Sequence, residues 1–246
     1  MEYQIKDWAT VDDVIDASHC EPSHTDFEEW CEIKRLLKFD LGLRLPLSLK
    51  KRERPDFEVV EVSGARQIGC EHTWAAHEGW EQSEQYLLNT KNPPFQSISR
   101  NCLEGEHAKG KELGRRLARQ QGNSPIWGVR EQAEAKAEEV KRAIAKKLEA
   151  LANDGFEKYP ENWLLVSDRL PFLFLDLECF KDSLKGFELL VRSGYSRILF
   201  LTQVRDREHS INVHALLELS SDGISVVNGH AQQGGRGDAL PRAPHP

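Results

Sequence analysis

The chain reads as a three-layer mixed α/β domain built around one sheet. Three observations predict it. An antiparallel hairpin is written into residues 56–71. The strongest helix pattern covers Arg130–Ala152. The short apolar run Trp163-Leu164-Leu165-Val166 follows that helix as a buried strand. A hairpin joined through a helix to a later strand mixes antiparallel and crossover connections in one sheet, with helices to cover it.

Taken in order, residues 1–24 read as a loosely structured lead-in with one short helix at Thr10–Ala17. Thr25-Asp26 looks like a helix start, and Phe27, Trp30, Ile33, Leu36 and Leu37 follow at helical spacing. Leu41–Leu49 alternates Leu with other residues around Pro46, which fits an edge strand or an irregular extended segment. In the hairpin, Val59, Val60 and Val62 favour a strand, Ser63-Gly64 is a turn dipeptide, and Ile68 and Cys70 alternate beyond it.

Residues 76–128 read as an insertion: a helix at Glu78–Leu88, a loop around Pro93-Pro94, and a basic helix at Glu104–Gln120 closed by turn residues at Gly122–Gly128. Arg130–Ala152 is rich in Ala, Glu and Lys and stops at Asn153-Asp154-Gly155. A helix within Leu175–Arg192 and strands at Arg197–Val204, Ile211–Leu219 and Ile224–Val227 complete the pattern. The tail 229–246 is rich in Gly, Gln and Pro and reads as disordered, its Arg236-Gly237-Asp238 triplet a chance run. The domain is thus expected to span 25–228.

Composition limits the function classes. With 246 residues, 39% hydrophobic and 30% charged, the chain suits a soluble globular protein. It has no apolar run of membrane-spanning length and no signal-peptide core, so the cytoplasm is the expected compartment. The net charge of −7 gives no global pull toward nucleic acid, which leaves that task to local basic surface. Five cysteines at irregular spacing argue against a disulfide framework.

Asp56 and Glu71 carry the sharpest chemical signal. If Ser63 and Gly64 form a two-residue loop, Val62 pairs with Ala65 and Asp56 falls opposite Glu71. Opposed like charges destabilise a sheet. Two readings stand: a solvated acidic face, or a pair that holds a divalent cation between its oxygens. The long helix carries a second anomaly. Ala133, Ala137, Val140, Ile144, Leu148 and Leu151 form a narrow apolar stripe, and Lys147 lies on its edge, whereas Lys146 points away. Lys147 either snorkels or reaches the sheet carboxylates.

Other constellations are weaker. His19, Cys20, His24 and Cys31 lack the paired spacing of zinc ligands. Neither Cys70 nor Cys102 has a local activator, and Cys70 should point away from Glu71 along its strand. Trp74 and Trp80 are either core aromatics or base-stacking platforms. Lys51, Arg52 and Arg54 precede Asp56, and Arg115, Arg116 and Arg119 lie in the insertion. Both groups are candidates for phosphate contact or plain charged surface.

Pro55-Asp56, followed by Ile68-Gly69-Cys70-Glu71-His72-Thr73, resembles the signature of the PD-(D/E)XK nuclease superfamily, and more closely a set of bacterial nuclease-like proteins with an Asp-Phe and an Ile-Gly-x-Glu-x-Thr run. Val140, Ile144, Lys147, Tyr159 and Trp163–Val166 resemble the later block of those proteins. The resemblance spans about 25–218 and is weak in the insertion. It implies a restriction-endonuclease-like core, Mg²⁺ or Mn²⁺ held by Asp56, Glu71 and the backbone carbonyl of His72, and hydrolysis of nucleic-acid phosphodiesters, most simply DNA, with a homodimer as one assembly it allows. The signature's lysine is replaced by Thr73, and Lys147 is its substitute. Glu29 and Glu32 on the first helix are further site candidates, or a solvated face. If no lysine reaches the carboxylates, the alternative is a catalytically inert nuclease-like domain that binds nucleic acid or a protein.

Overall fold

The computed structural model describes residues 2–15, 24–76, 128–151, 157–169, 175–185, 187, 194–205, 212–220 and 223–229. Eight strands form one sheet in chain order: β1 (Glu2–Ile5), β2 (Leu47–Lys51), β3 (Phe57–Glu61), β4 (Gln67–Ala75), β5 (Glu161–Asp168), β6 (Arg197–Arg205), β7 (Asn212–Ser220) and β8 (Gly223–Val227). The sheet is mixed. β4, β5 and β6 run parallel, and every other neighbouring pair is antiparallel. Four helices lie among the described residues: α1 (Val11–Val14), α2 (His24–Leu36), α3 (Val129–Leu151) and α4 (Leu177–Ser183). None is long and apolar enough to cross a membrane.

Strand alternation divides the core in two. On one face Trp30, Ile33, Leu36 and Leu37, on or just after α2, pack over Leu47, Leu49, Phe57, Val59, Ile68, Cys70, Trp163 and Leu165. On the other, the α3 stripe Ala133, Ala137, Val140, Ile144 and Leu151 packs with Phe180 of α4 over Ala75, Leu164, Val166, Ile198 and Phe200. Sheet between helices is the expected α/β architecture, because β5, central in the sheet, is apolar on both faces: Trp163 through Val166 are all buried.

The hairpin register matches the one that Ser63-Gly64 implies: Phe57 pairs with Cys70, Val59 with Ile68 and Val60 with Gln67. The loop is wider than two residues. Pairing ends where Glu61 N–H donates to the Arg66 carbonyl at 3.1 Å, and Gly64 takes a positive φ of 74° inside the turn. Val62 instead donates to the Pro46 carbonyl at 2.9 Å, so tertiary pairing with the segment before β2 draws it off the hairpin.

Two expectations change. The first residues are part of the sheet: β1 pairs with β2, and Ile5, Val11 and Ile15 are buried in the α2-side core, so the domain begins before residue 25. β2 is consequently an interior strand, with Pro46 just before it. Four residues with one fully buried side chain are too short a run to show period two. The expected helix at Thr10–Ala17 is the single turn α1, preceded by a 3-10 turn at Trp8–Thr10 that the Asp7 side chain caps. The insertion lies outside the described residues apart from its two ends, as does the tail beyond Gly229.

Candidate functional site

Asp56 sits one residue before β3, beside Glu71 in the register of the hairpin. Its Oδ2 accepts the His72 backbone N–H at 2.7 Å. His72 would stand opposite Pro55 if the ladder continued, and proline has no N–H to offer the His72 carbonyl. Gly69, on the same face as Glu71, leaves room for this corner. A Cβ there would lie 2.6 Å from Tyr159 Cδ2 and 2.8 Å from Pro55 Cγ.

Glu71 is 6% exposed on the face toward α3. Lys147, which leaves α3 beside Ile144 and Leu151, donates from Nζ to Glu71 Oε1 at 2.5 Å. Glu71 Oε2 is buried and has no hydrogen-bond partner among the described residues. Lys146 is exposed. Burial first, then the charge of Glu71, raises the Asp56 pKa, against the opposing pull of the His72 N–H, Lys147 and Lys51. The nearby Tyr195 phenol is likewise pushed up, by burial and then by Glu71 and Asp56, and its hydroxyl lies 3.5 Å from the Lys147 carbonyl.

The first long helix supplies three glutamates with three different partners. Glu28 pairs with Arg169, whose guanidinium lies 4.4 Å from the Trp74 ring centroid. Glu29 pairs with Lys51, and burial is the main cause of its raised pKa. Glu32, raised by burial too, accepts from Ser167 Oγ at 2.9 Å. Ser167 has one hydroxyl proton and gives it to Glu32. The 3.1 Å contact between Ser167 Oγ and His72 Nε2 therefore has His72 as donor. Burial pushes the His72 imidazole down to about 3, so it is neutral at pH 7. The order is His, Ser, Glu, with the hydroxyl between base and acid. That pins α2 to β4 and β5 and activates no nucleophile. The His72 ring is engaged there, which leaves its carbonyl as its route to a cation.

The basic residues divide. Lys51 faces Glu29, and Arg52 donates twice to Glu58 Oε2, from Nε at 2.9 Å and NH2 at 2.5 Å. Arg54 is exposed on the turn before Asp56. Arg115, Arg116, Arg119, Trp80 and Cys102 lie outside the described residues, as do His19, Cys20 and the side chain of His24. Cys31 is half-buried, and Cys70 is buried on the opposite face from Glu71 with its thiol pushed up by burial. Among the described residues no three His, Cys, Asp or Glu side chains converge as a metal cluster.

The sequence reading passed over Lys136. It is 1% exposed and pairs with Asp168, which also accepts from Thr202 Oγ1 at 2.6 Å. The wheel that singled out Lys147 holds its signal: Lys136 lies about 40° from Val140, on the same side as Lys147 and about 20° further from the apolar stripe.

No protein-family model matches the chain, and no curated protein matches it. Among solved structures, one titled as the crystal structure of the central domain of yeast acetyl-CoA carboxylase is similar at 11% identity and a TM-score of 0.37, over 82% of this chain and 26% of that one. This chain spans about a quarter of that structure's length, and a likeness at that TM-score carries no argument about function.

Proposed function

We propose that the chain is a metal-dependent phosphodiesterase of the PD-(D/E)XK nuclease type, acting on nucleic acid, most simply DNA. The observation that carries this reading is the Lys147 ammonium on Glu71, beside Asp56, with the second Glu71 oxygen buried and unpartnered. Two helix-covered sheet faces, with the carboxylates on the β3–β4 hairpin, support a restriction-endonuclease-like core.

The residues fit a hard divalent cation. Asp56 and Glu71 supply carboxylate oxygens, the His72 carbonyl supplies a neutral one, and the orphaned Glu71 Oε2 is an acceptor that needs a positive partner. Mg²⁺ or Mn²⁺ bound there would acidify a coordinated water and offset phosphate charge. Lys147 replaces the lysine absent at Thr73: its N–H groups hold the water in line and stabilise the negative charge that develops on the phosphate. Buried walls at Tyr195 and Tyr159 keep the corner dry, which strengthens each of these interactions. Arg54, with Arg115, Arg116 and Arg119, supplies phosphate contacts along the strand.

One observation favours the inert alternative. Lys147 and Lys51 already stand on Glu71 and beside Asp56, a charge balance that asks for less cation. Cleavage assays separate the two readings. Lys147→Ala should lower Mg²⁺- or Mn²⁺-dependent DNA cleavage about a hundredfold. The metal-induced rise in melting temperature should survive, since the carboxylates remain. Lys146→Ala should be silent. A parent that fails to cleave DNA whichever divalent metal is supplied makes the inert binding domain the better reading.

A further inference from the structure

Strand alternation puts Leu47, Leu49 and Lys51 on the α2 face of β2. The first two are buried apolar side chains. The third is a lysine whose stem crosses its cross-strand partner Phe57, with Nζ 4.7 Å from the ring centroid. Its ammonium ends among three carboxylates. It is bonded to Glu29, and it lies 4.0 Å from both Asp56 Oδ1 and Asp26 Oδ1. Lys51 and Glu29 are 19% and 15% exposed, so the contact is largely withdrawn from water. A cation in contact with one carboxylate and faced at 4.0 Å by two more, from α2 and from the turn before β3, stands where a metal could stand, and here the cation is covalently tethered.

Charge counting sharpens this. Asp26, Glu29, Asp56 and Glu71 carry four negative charges when ionised, and Lys51 and Lys147 return two. Two negative charges remain, one of them accounted for by Asp26, whose side chain is 55% exposed and screened by water. We infer that Lys51 is a built-in cation that fills a second metal position between Glu29 and Asp56, so that the site takes one divalent ion and not two. The inference rests on the metal reading of Asp56 and Glu71. It gives Lys51 a task inside the site instead of on the phosphate backbone. An ammonium neutralises carboxylates but has no vacant coordination position, so it cannot activate water. Chemistry would then fall to the single ion at Glu71.

Mn²⁺ alone is the probe, titrated by calorimetry with free Mn²⁺ counted by its paramagnetic resonance. The parent should bind one ion per chain. Lys51→Ala and Lys51→Met should bind two, because Glu29 and Asp56 lose their resident cation. Lys51→Met keeps the stem packed on Phe57 and so preserves the fold, checked by circular dichroism. Lys51→Arg should return to one. One ion in every variant overturns the placeholder role and leaves the carboxylate site standing. Two ions in the parent also overturn it. No ion in the parent removes the Asp56–Glu71 site itself, and this inference with it.

Discussion

Charge on Asp56 comes at a cost to the fold. Its pKa is raised from the ordinary 3.8 by burial and by Glu71, so the folded state holds the proton more tightly than the unfolded chain does. The resulting stability is present below 3.8 and is lost as pH rises through the folded value. At pH 7 without metal the charge therefore works against folding. Asp56→Asn removes it, and the amide oxygen can still accept the His72 N–H. In EDTA at pH 7 the variant should melt above the parent. The gap should narrow as pH falls toward and below 3.8, and Mg²⁺ should raise the melting temperature of the parent only. A variant less stable than the parent in EDTA would show that the charge is not strained. His72 carries the opposite sign: its depressed pKa adds stability above about 6.5 that drains away as pH falls.

At the scale of the element, β4 is the piece everything else is fitted to. Ile68 and Cys70 fill the α2-side core, Glu71 meets α3, and Gly69 gives Tyr159 and Pro55 space to close. Gly69→Ala would push a methyl into a ring edge and a proline, neither of which is a flexible chain end. The expected loss is about 2 kcal/mol, or roughly 4–8 °C in melting temperature by differential scanning calorimetry. An unchanged melt would mean that Tyr159 moves aside freely. This strand and its hairpin were legible because period two and one turn dipeptide set the register without help from the rest of the chain. Lys147 was legible because a helical wheel needs only one helix. The inward turn of Lys51 and the burial of Lys136 were not read, although Lys136 lies on the same wheel. A lysine in an apolar pattern defaults to snorkelling, and only the positions of Glu29, Asp56 and Asp168 on other elements show otherwise.

For the whole molecule, the lesson concerns the N-terminus. Ile5, Val11 and Ile15 are buried in the same core as Trp30, Leu47 and Phe57. At about 1.5–3 kcal/mol for each buried side chain, their removal costs roughly 5–9 kcal/mol, which rivals the whole stability of an ordinary domain. Deleting residues 1–15 should therefore abolish a cooperative urea transition and bare the edge of β2 to aggregation, seen by size exclusion. A deletion that still melts cooperatively would restore the lead-in reading. The three-layer class itself was visible from the order of elements, since hairpin, helix and buried strand leave few other arrangements. The place of β1 was not, because it is fixed by pairing with Leu47–Ile5 and Leu49–Tyr3 neighbours far along the chain.

Asp56 and Glu71 lie on one hairpin, whereas Lys147 is 76 residues from Glu71. The hairpin can close within about 1–10 μs, but α3 begins only at Val129, more than fifty residues after β4 ends at Ala75. Like charges thus meet early and their counter-charge comes late. A contact absent from the transition state leaves the folding rate untouched and sets the unfolding rate. On that order of events the ion pair acts as a late latch: Lys147→Met should speed unfolding in a stopped-flow chevron and leave the folding rate unchanged.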